Sequence, residues 1–325
     1  TNKGFYGKRW ILSYVPNFGG KTLLTGDLNL YASCSAEALA HPDKGRLIGF
    51  GSAPEGLENN EVVYELLADM GWQNQPIDLD HWLIEYCRSR YGSCPNAMQK
   101  AWKGLCRSVY SSLYSYPRFT WQTVIPDTLR KSKYDFNDTY FRAVEDFLSC
   151  TPQLKDSPLY RSDALLFAAQ YIGAKADKLY RKALQAKAVG NRARAKQLVD
   201  KVIQLLLQAD KLLASHPTDR LSRWVDAART TAATPQERMQ YEMDAKRLIT
   251  TWGGIQEDYA ARYWSGLIKT YYVPRIKLYF AGSKKKELNN WEENWLKQPY
   301  NGDTEKPFND PLATARQLIH GLKSM

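Results

Sequence analysis

Long hydrophobic runs are missing from this sequence. None approaches the roughly 18 uncharged residues that a membrane-crossing helix needs, so no segment is expected to span a bilayer. The first ten residues, Thr1-Asn2-Lys3-Gly4-Phe5-Tyr6-Gly7-Lys8-Arg9-Trp10, hold no apolar core of the kind a secretory leader carries. Histidine is scarce, with four copies, and none sits at zinc-finger spacing; the five cysteines, Cys34, Cys87, Cys94, Cys106 and Cys150, include no Cys-x-x-Cys pair. Neither a metal site nor another cofactor is therefore expected. An odd count leaves at least one free thiol, and the rest read as buried apolar fillers. No nucleotide-binding glycine loop and no Ser-His-Asp arrangement is evident.

What is present is an ordinary globular composition, 44% hydrophobic and 24% charged, in 325 residues, a length for which two domains are the default expectation. A net charge of +11 raises the question of a polyanionic partner. The Lys and Arg residues between Arg181 and Lys211, however, interleave with Ala, Leu and Gln at helical spacing, the pattern of a solvated helix face. Nucleic acid is not expected as a partner, and a homo-oligomer is left open.

The stretch from Gly49 to Tyr64 organises the reading. Arg46-Leu47-Ile48-Gly49-Phe50 is a short apolar run of the type found in buried parallel strands, and Val62, Val63, Leu66, Leu67 and Met70 recur at helical spacing. Between them Pro54 and Gly56 shape a turn, and Asn60 is placed to cap the helix. A strand that leaves through such a turn into a helix resembles one βα unit of a (β/α)8 barrel, and Glu55 would then sit at the carboxyl end of the strand, where barrels carry their chemistry. Trp10-Ile11-Leu12-Ser13-Tyr14-Val15 reads as a second buried strand, closed by Pro16-Asn17 and opened into a loop by Gly19-Gly20. Ser35 to His41 suggests a short helix between the two.

Ala53-Pro54-Glu55-Gly56, Asn60-Glu61-Val62-Val63-Tyr64 and Met70-Gly71-Trp72 together resemble the segment around the nucleophile of the alpha-N-acetylglucosaminidases, glycoside hydrolase family 89. Asn17-Phe18-Gly19-Gly20 is similar to that family's Asn-Phe-Gly-Gly loop. It departs at Pro16, where relatives commonly have a polar residue, and at Lys21-Thr22-Leu23, where the continuation is usually richer in Gly and Asn. Arg90-Tyr91-Gly92, Ala101-Trp102, Arg107-Ser108-Val109-Tyr110 and Tyr271-Tyr272-Val273-Pro274-Arg275 match the family in order. Thr251-Trp252-Gly253-Gly254-Ile255-Gln256-Glu257-Asp258-Tyr259 is similar to a family loop that lines the sugar site.

The resemblance implies a retaining hydrolase releasing terminal alpha-linked N-acetylglucosamine from glycans, with Glu55 as nucleophile and Val15, Asn17, Trp252 and Tyr259 against the sugar. It places the acid/base on an earlier barrel strand, after an Asn, and no such Asn-Glu precedes Glu55; Glu61 reads instead as a first-turn partner of its helix dipole. Two βα units cannot close a barrel. The expected partners are thus the glycan and an N-terminal barrel portion outside this sequence. Lysosomal, secreted or periplasmic placement is implied by the family alone. A different class of reading, a non-catalytic basic helical module that binds a protein or a glycan, makes Glu55 incidental.

The expected fold is mainly α: residues 1–74 as the C-terminal remnant of the barrel, residues 75–325 as a large all-α domain. Asp78 can cap a helix ended by Gly92, and Met98, Trp102, Leu105 and Val109 form a stripe on the next. Tyr114 to Pro126 reads as an aromatic connection pinned onto the helices. Asn137 offers a cap, and within a glycosylation sequon if the chain meets a secretory route. Two long helices are broken at Gly190-Asn191, a shorter one runs from Arg220 to Thr230, and Thr234-Pro235-Gln236-Glu237 opens another with a capping box. That helix is expected to stop at Gly253-Gly254, with helical spacing resuming from Ala260 to Tyr272.

Overall fold

The computed structural model describes residues 3–56, 60–113, 117–123, 136–252 and 258–325. It is mainly helical with few strands, and packing divides it into two compact units, Thr1–Pro117 with Lys133–Tyr160, and Arg118–Ser132 with Arg161–Met325. Leu57–Asn59, Tyr114, Tyr116, Pro126 and Gly253–Glu257 of the sequence reading lie outside the described residues.

In the first unit the strands Arg9–Tyr14 and Arg46–Ser52 pair in parallel, with Trp10 opposite Leu47 and Tyr14 opposite Ser52. The helix Cys34–Ala40 lies between them in sequence, and the helix Glu61–Met70 follows the second strand. Neither strand is buried. Every residue along both is exposed or half-buried, with Ile11 at 56% and Ile48 at 59% of full exposure. The apolar runs predicted core strands; among the described residues the sheet has only these two strands, so the full burial implied by composition is not achieved. The core of this unit lies instead around the helices, where Val62, Val63, Leu66 and Met70 are fully enclosed.

Helix starts written in the sequence appear where expected. Asp78 accepts a hydrogen bond from the His81 amide and opens Leu79–Tyr91, which stops at Gly92 with φ of 89°. Asn137 caps Asp138–Ser149 through the Tyr140 amide. This last helix packs tightly on Asn96–Cys106: a Cβ on Gly104 would stand 2.7 Å from the Ala143 methyl carbon, so only glycine permits the approach.

The second unit is built on two long helices, Pro158–Ala188 from Arg161 onward and Arg192–Leu213, with Leu221–Thr230 and Pro235–Leu248 beside them. Thr234 and Glu237 form the capping box. Two expectations fail here. Pro235–Leu248 ends before the glycines, because the Trp252 amide turns back to the Arg247 carbonyl at 2.9 Å and ties off the last turn. Ala260 to Gly266 is not helical; Ser265 bridges Arg220, and a π-turn over Ile268–Tyr272 leads into the helix Val273–Ala281.

Candidate active site

Parallel pairing sets the first part of the site. Two parallel strands present their carboxyl ends on the same edge, so the loops after Tyr14 and after Ser52 emerge side by side, joined first by the Ala53 amide on the Tyr14 carbonyl at 2.9 Å. The Glu55 amide then donates to the Asn17 carbonyl at 3.3 Å, and the Glu55 carboxylate accepts the Gly19 amide at 2.6 Å, a short charge-assisted contact. Glu55 is exposed on this edge. Its carboxyl group is therefore oriented by a backbone donor.

The donor loop is itself rigidly made. Gly19 and Gly20 both take left-handed φ values, 70° and 61°, which only glycine adopts without penalty. Asn17, 1% exposed, closes the loop like a clasp: its amide nitrogen donates to the Lys21 carbonyl at 2.9 Å and its amide oxygen accepts the Lys21 N–H at 2.8 Å. Val15, at the start of the loop, is exposed.

Asn60 does something other than cap its helix. With φ of 57° it makes no side-chain cap bond. Buried, it donates to the Leu23 carbonyl at 3.2 Å and accepts from the Thr25 amide at 3.1 Å and the Tyr110 hydroxyl at 2.9 Å. The left-handed backbone turns the amide away from its own helix and toward the loop that continues from Lys21. Tyr64, one turn on, donates its hydroxyl to the Gly56 carbonyl at 2.9 Å and fixes the far side of the Glu55 turn.

In the second unit Trp252 and Tyr259 come together, ring centroids 5.2 Å apart and tilted by 49°, with Trp252 37% exposed and Tyr259 half-buried. Trp252 and Asp258 adopt left-handed φ of 49° and 59°. The Asp258 amide bonds the Thr250 carbonyl at 2.8 Å. The Asp258 carboxylate takes Arg275 Nη1 at 2.9 Å, and the same nitrogen reaches Glu292 at 2.8 Å and the Tyr271 hydroxyl at 3.1 Å. Arg275 Nη2 donates to the Gln122 carbonyl at 2.5 Å. Asp258, Arg275, Glu292, Tyr271 and Gln122 are all buried. Burial pushes the Asp258 carboxyl upward against the pull of Arg275, while the surrounding carboxylates hold the guanidinium well above its ordinary value. Nothing in local spacing announces this network, because its members come from residues 122, 258, 271, 275 and 292.

The structure also assembles a trio the sequence does not show: Ser162 Oγ lies 2.8 Å from His216 Nε2, and Asp219 lies 3.6 Å from Nδ1. Proton direction rules out a serine nucleophile here. His216 Nδ1 accepts the amides of Thr218 and Asp219 at 3.3 and 3.2 Å, so the ring proton sits on Nε2 and is donated to the serine. A base must accept from that hydroxyl. The trio ties the start of one helix to the Ser215–Asp219 turn. Among the described residues no group of three or more His, Cys, Asp or Glu side chains is arranged to hold a metal ion.

Comparison with known proteins gives the family and the fold. The family model described as the alpha-N-acetylglucosaminidase (NAGLU) C-terminal domain matches residues 82–320, and the model of the corresponding tim-barrel domain matches residues 1–74. The chain is 32% identical to human alpha-N-acetylglucosaminidase over 293 residues, which is 85% of this chain and 38% of that protein. A family 89 glycoside hydrolase from Clostridium perfringens in complex with PUGNAc shares the fold with a TM-score of 0.85 and 24% identity, over 98% of this chain and 39% of that one. A structure from the same organism in complex with its substrate GlcNAc-alpha-1,4-galactose gives 0.83 over 96% and 39%. The chain thus spans less than two fifths of the length of its human relative, and 39% of these structures.

Proposed function

The chain belongs to the alpha-N-acetylglucosaminidase family, and from that premise we propose that the protein carrying it is a retaining glycosidase that releases terminal alpha-linked N-acetylglucosamine from glycans, with Glu55 as its nucleophile. The observation that supports this most directly is the Glu55 carboxylate itself: exposed at the carboxyl end of a parallel strand and oriented by the Gly19 amide at 2.6 Å. In this reading residues 1–74 are the closing portion of the barrel and residues 75–325 the helical domain.

Retention requires two carboxyl groups about 5 to 5.5 Å apart, one to attack the anomeric carbon and one to protonate the leaving oxygen and then activate water. Glu55 supplies the first. Its partner does not come from Glu61, which opens the helix Glu61–Met70 and faces Arg90 at 3.9 Å. We assign the acid/base to the barrel portion outside this sequence. Asn17 shapes the pocket as the clasp of the Phe18–Gly20 loop, and Val15 lies on its rim. Trp252 as an apolar wall and Tyr259 as a hydrogen-bonding contact for a sugar are carried by the family resemblance and by their mutual packing, ring centroids 5.2 Å apart.

The assay is hydrolysis of an aryl alpha-N-acetylglucosaminide by the full-length protein, by its Glu55→Gln variant and by this chain alone. Loss of turnover in the variant with folding intact, and no turnover by the chain alone, are expected. An unaffected variant would instead fit a non-catalytic basic module, and robust turnover by the chain alone would overturn the assignment of the acid to another portion.

A further inference from the structure

Lys21 is buried, 1% exposed, in a loop where a charged side chain has no packing reason to be. Its ammonium folds back and donates to the Phe18 carbonyl at 3.1 Å. The same peptide unit that offers this carbonyl offers, on its other side, the Gly19 N–H that binds the Glu55 carboxylate at 2.6 Å. The result is one line of hydrogen bonds: Lys21 ammonium, Phe18–Gly19 peptide, Glu55 carboxylate. A cation on the carbonyl polarises the peptide and strengthens the opposite N–H as a donor. The Asn17 clasp on both backbone groups of Lys21 fixes the base from which the side chain turns back.

We propose that Lys21 is a positioning residue for Glu55, acting through the Phe18–Gly19 peptide to orient the carboxylate and keep it in its charged, nucleophilic form. This rests on the reading of Glu55 as nucleophile and goes beyond it by naming the side chain that acts on the carboxylate through the intervening peptide.

Other titratable groups described on the surrounding elements are engaged differently. Tyr14, at the end of the first strand, is pushed up by burial, and Tyr31, beside it, is pushed up to about 12, so both stay neutral. Tyr64 donates its hydroxyl to Gly56, and Glu61 on the following helix faces Arg90.

The test uses the full-length protein with three substitutions: Lys21→Arg, which keeps charge and donor; Lys21→Gln, which keeps a donor; and Lys21→Met, which keeps neither. Removing the cation raises the Glu55 pKa, so the acid limb of the kcat/KM profile moves to higher pH, by about half to one unit in Lys21→Gln and Lys21→Met. kcat/KM at the acid side then falls about three- to tenfold, and Lys21→Arg keeps the limb in place. Thermal melts accompany each variant, and Lys21→Gln carries the test if Lys21→Met does not fold. An unmoved limb in the neutral variants, or equal shifts in all three that track the melting temperature, overturns the proposal. A carbon-13 titration of the Glu55 carboxyl group in wild type and Lys21→Gln reads the same coupling without substrate. Failure of the glycosidase reading is thereby distinguished from failure of this one: an inactive wild type refutes the former, an unshifted Glu55 titration the latter.

Discussion

Glu55 and Asp258 are both carboxylates with a named partner, but they are held in opposite ways. Glu55 is exposed and accepts one backbone amide from a glycine loop thirty-six residues earlier. Asp258 is enclosed, ion-paired to an arginine that also binds a glutamate, a tyrosine and a main-chain carbonyl. Burial raises Asp258, which belongs to the packing, whereas the candidate nucleophile Glu55 is exposed. Perturbed titration as a guide to active sites would point here to Asp258, Asp177 and Asp210 first. Geometry at strand ends points to Glu55.

The contrast can be broken most severely at Arg275. Arg275→Met leaves Asp258 and Glu292 as buried charges without their cation, at a cost of about 3–5 kcal/mol in urea denaturation. Glu55→Gln should change the same measurement by less than about 0.5 kcal/mol. A reversed order would mean that Glu55 is the structural residue of the pair.

A second test uses Asp210, buried and bonded to the amides of Gly266 and Lys269, whose carboxyl is raised to about 7, chiefly by burial. A pKa above the unfolded value means the folded state holds its proton more tightly. Stability from this group is thus full below about pH 4 and is lost as pH rises toward and through 7, by roughly 2–4 kcal/mol. Denaturation between pH 4 and 8 should show that slope in wild type and a flatter one in Asp210→Asn. Parallel slopes would remove Asp210 from the account.

Asn17→Ala sharpens the comparison from the other side. Losing both clasp bonds to Lys21 should cost about 1–3 kcal/mol and lower kcat/KM together with it, since the loop that aims Glu55 loosens. Smallest is Thr234→Ala, the exposed cap, at about 1 kcal/mol with unchanged kinetics.

Legibility in the sequence followed locality. Asp78, Asn137 and Thr234 act within three residues of themselves, and each opens the helix that its spacing predicted. The strands were visible as apolar runs, but their exposure was not, because burial depends on neighbours that a run of side chains does not encode. Asn60 reads as a cap by residue type and becomes a cross-link once its backbone turns left-handed. At the candidate site, Glu55 stood out by its motif, while the Gly19 contact exists only after two strands pair in parallel. Arg275 was visible only as the end of a family-like run, Tyr271 to Arg275, and its role was not, since a buried cation is recognised by the carboxylates folded around it.

The side-by-side strands have one more consequence, for anyone handling this polypeptide. Among the described residues Ile11 and Ile48 are exposed on a two-stranded parallel ribbon, and both of its strands are edge strands. Purified by itself, it should sediment as a concentration-dependent mixture, and a lysine placed at either isoleucine should return it to a single slow species.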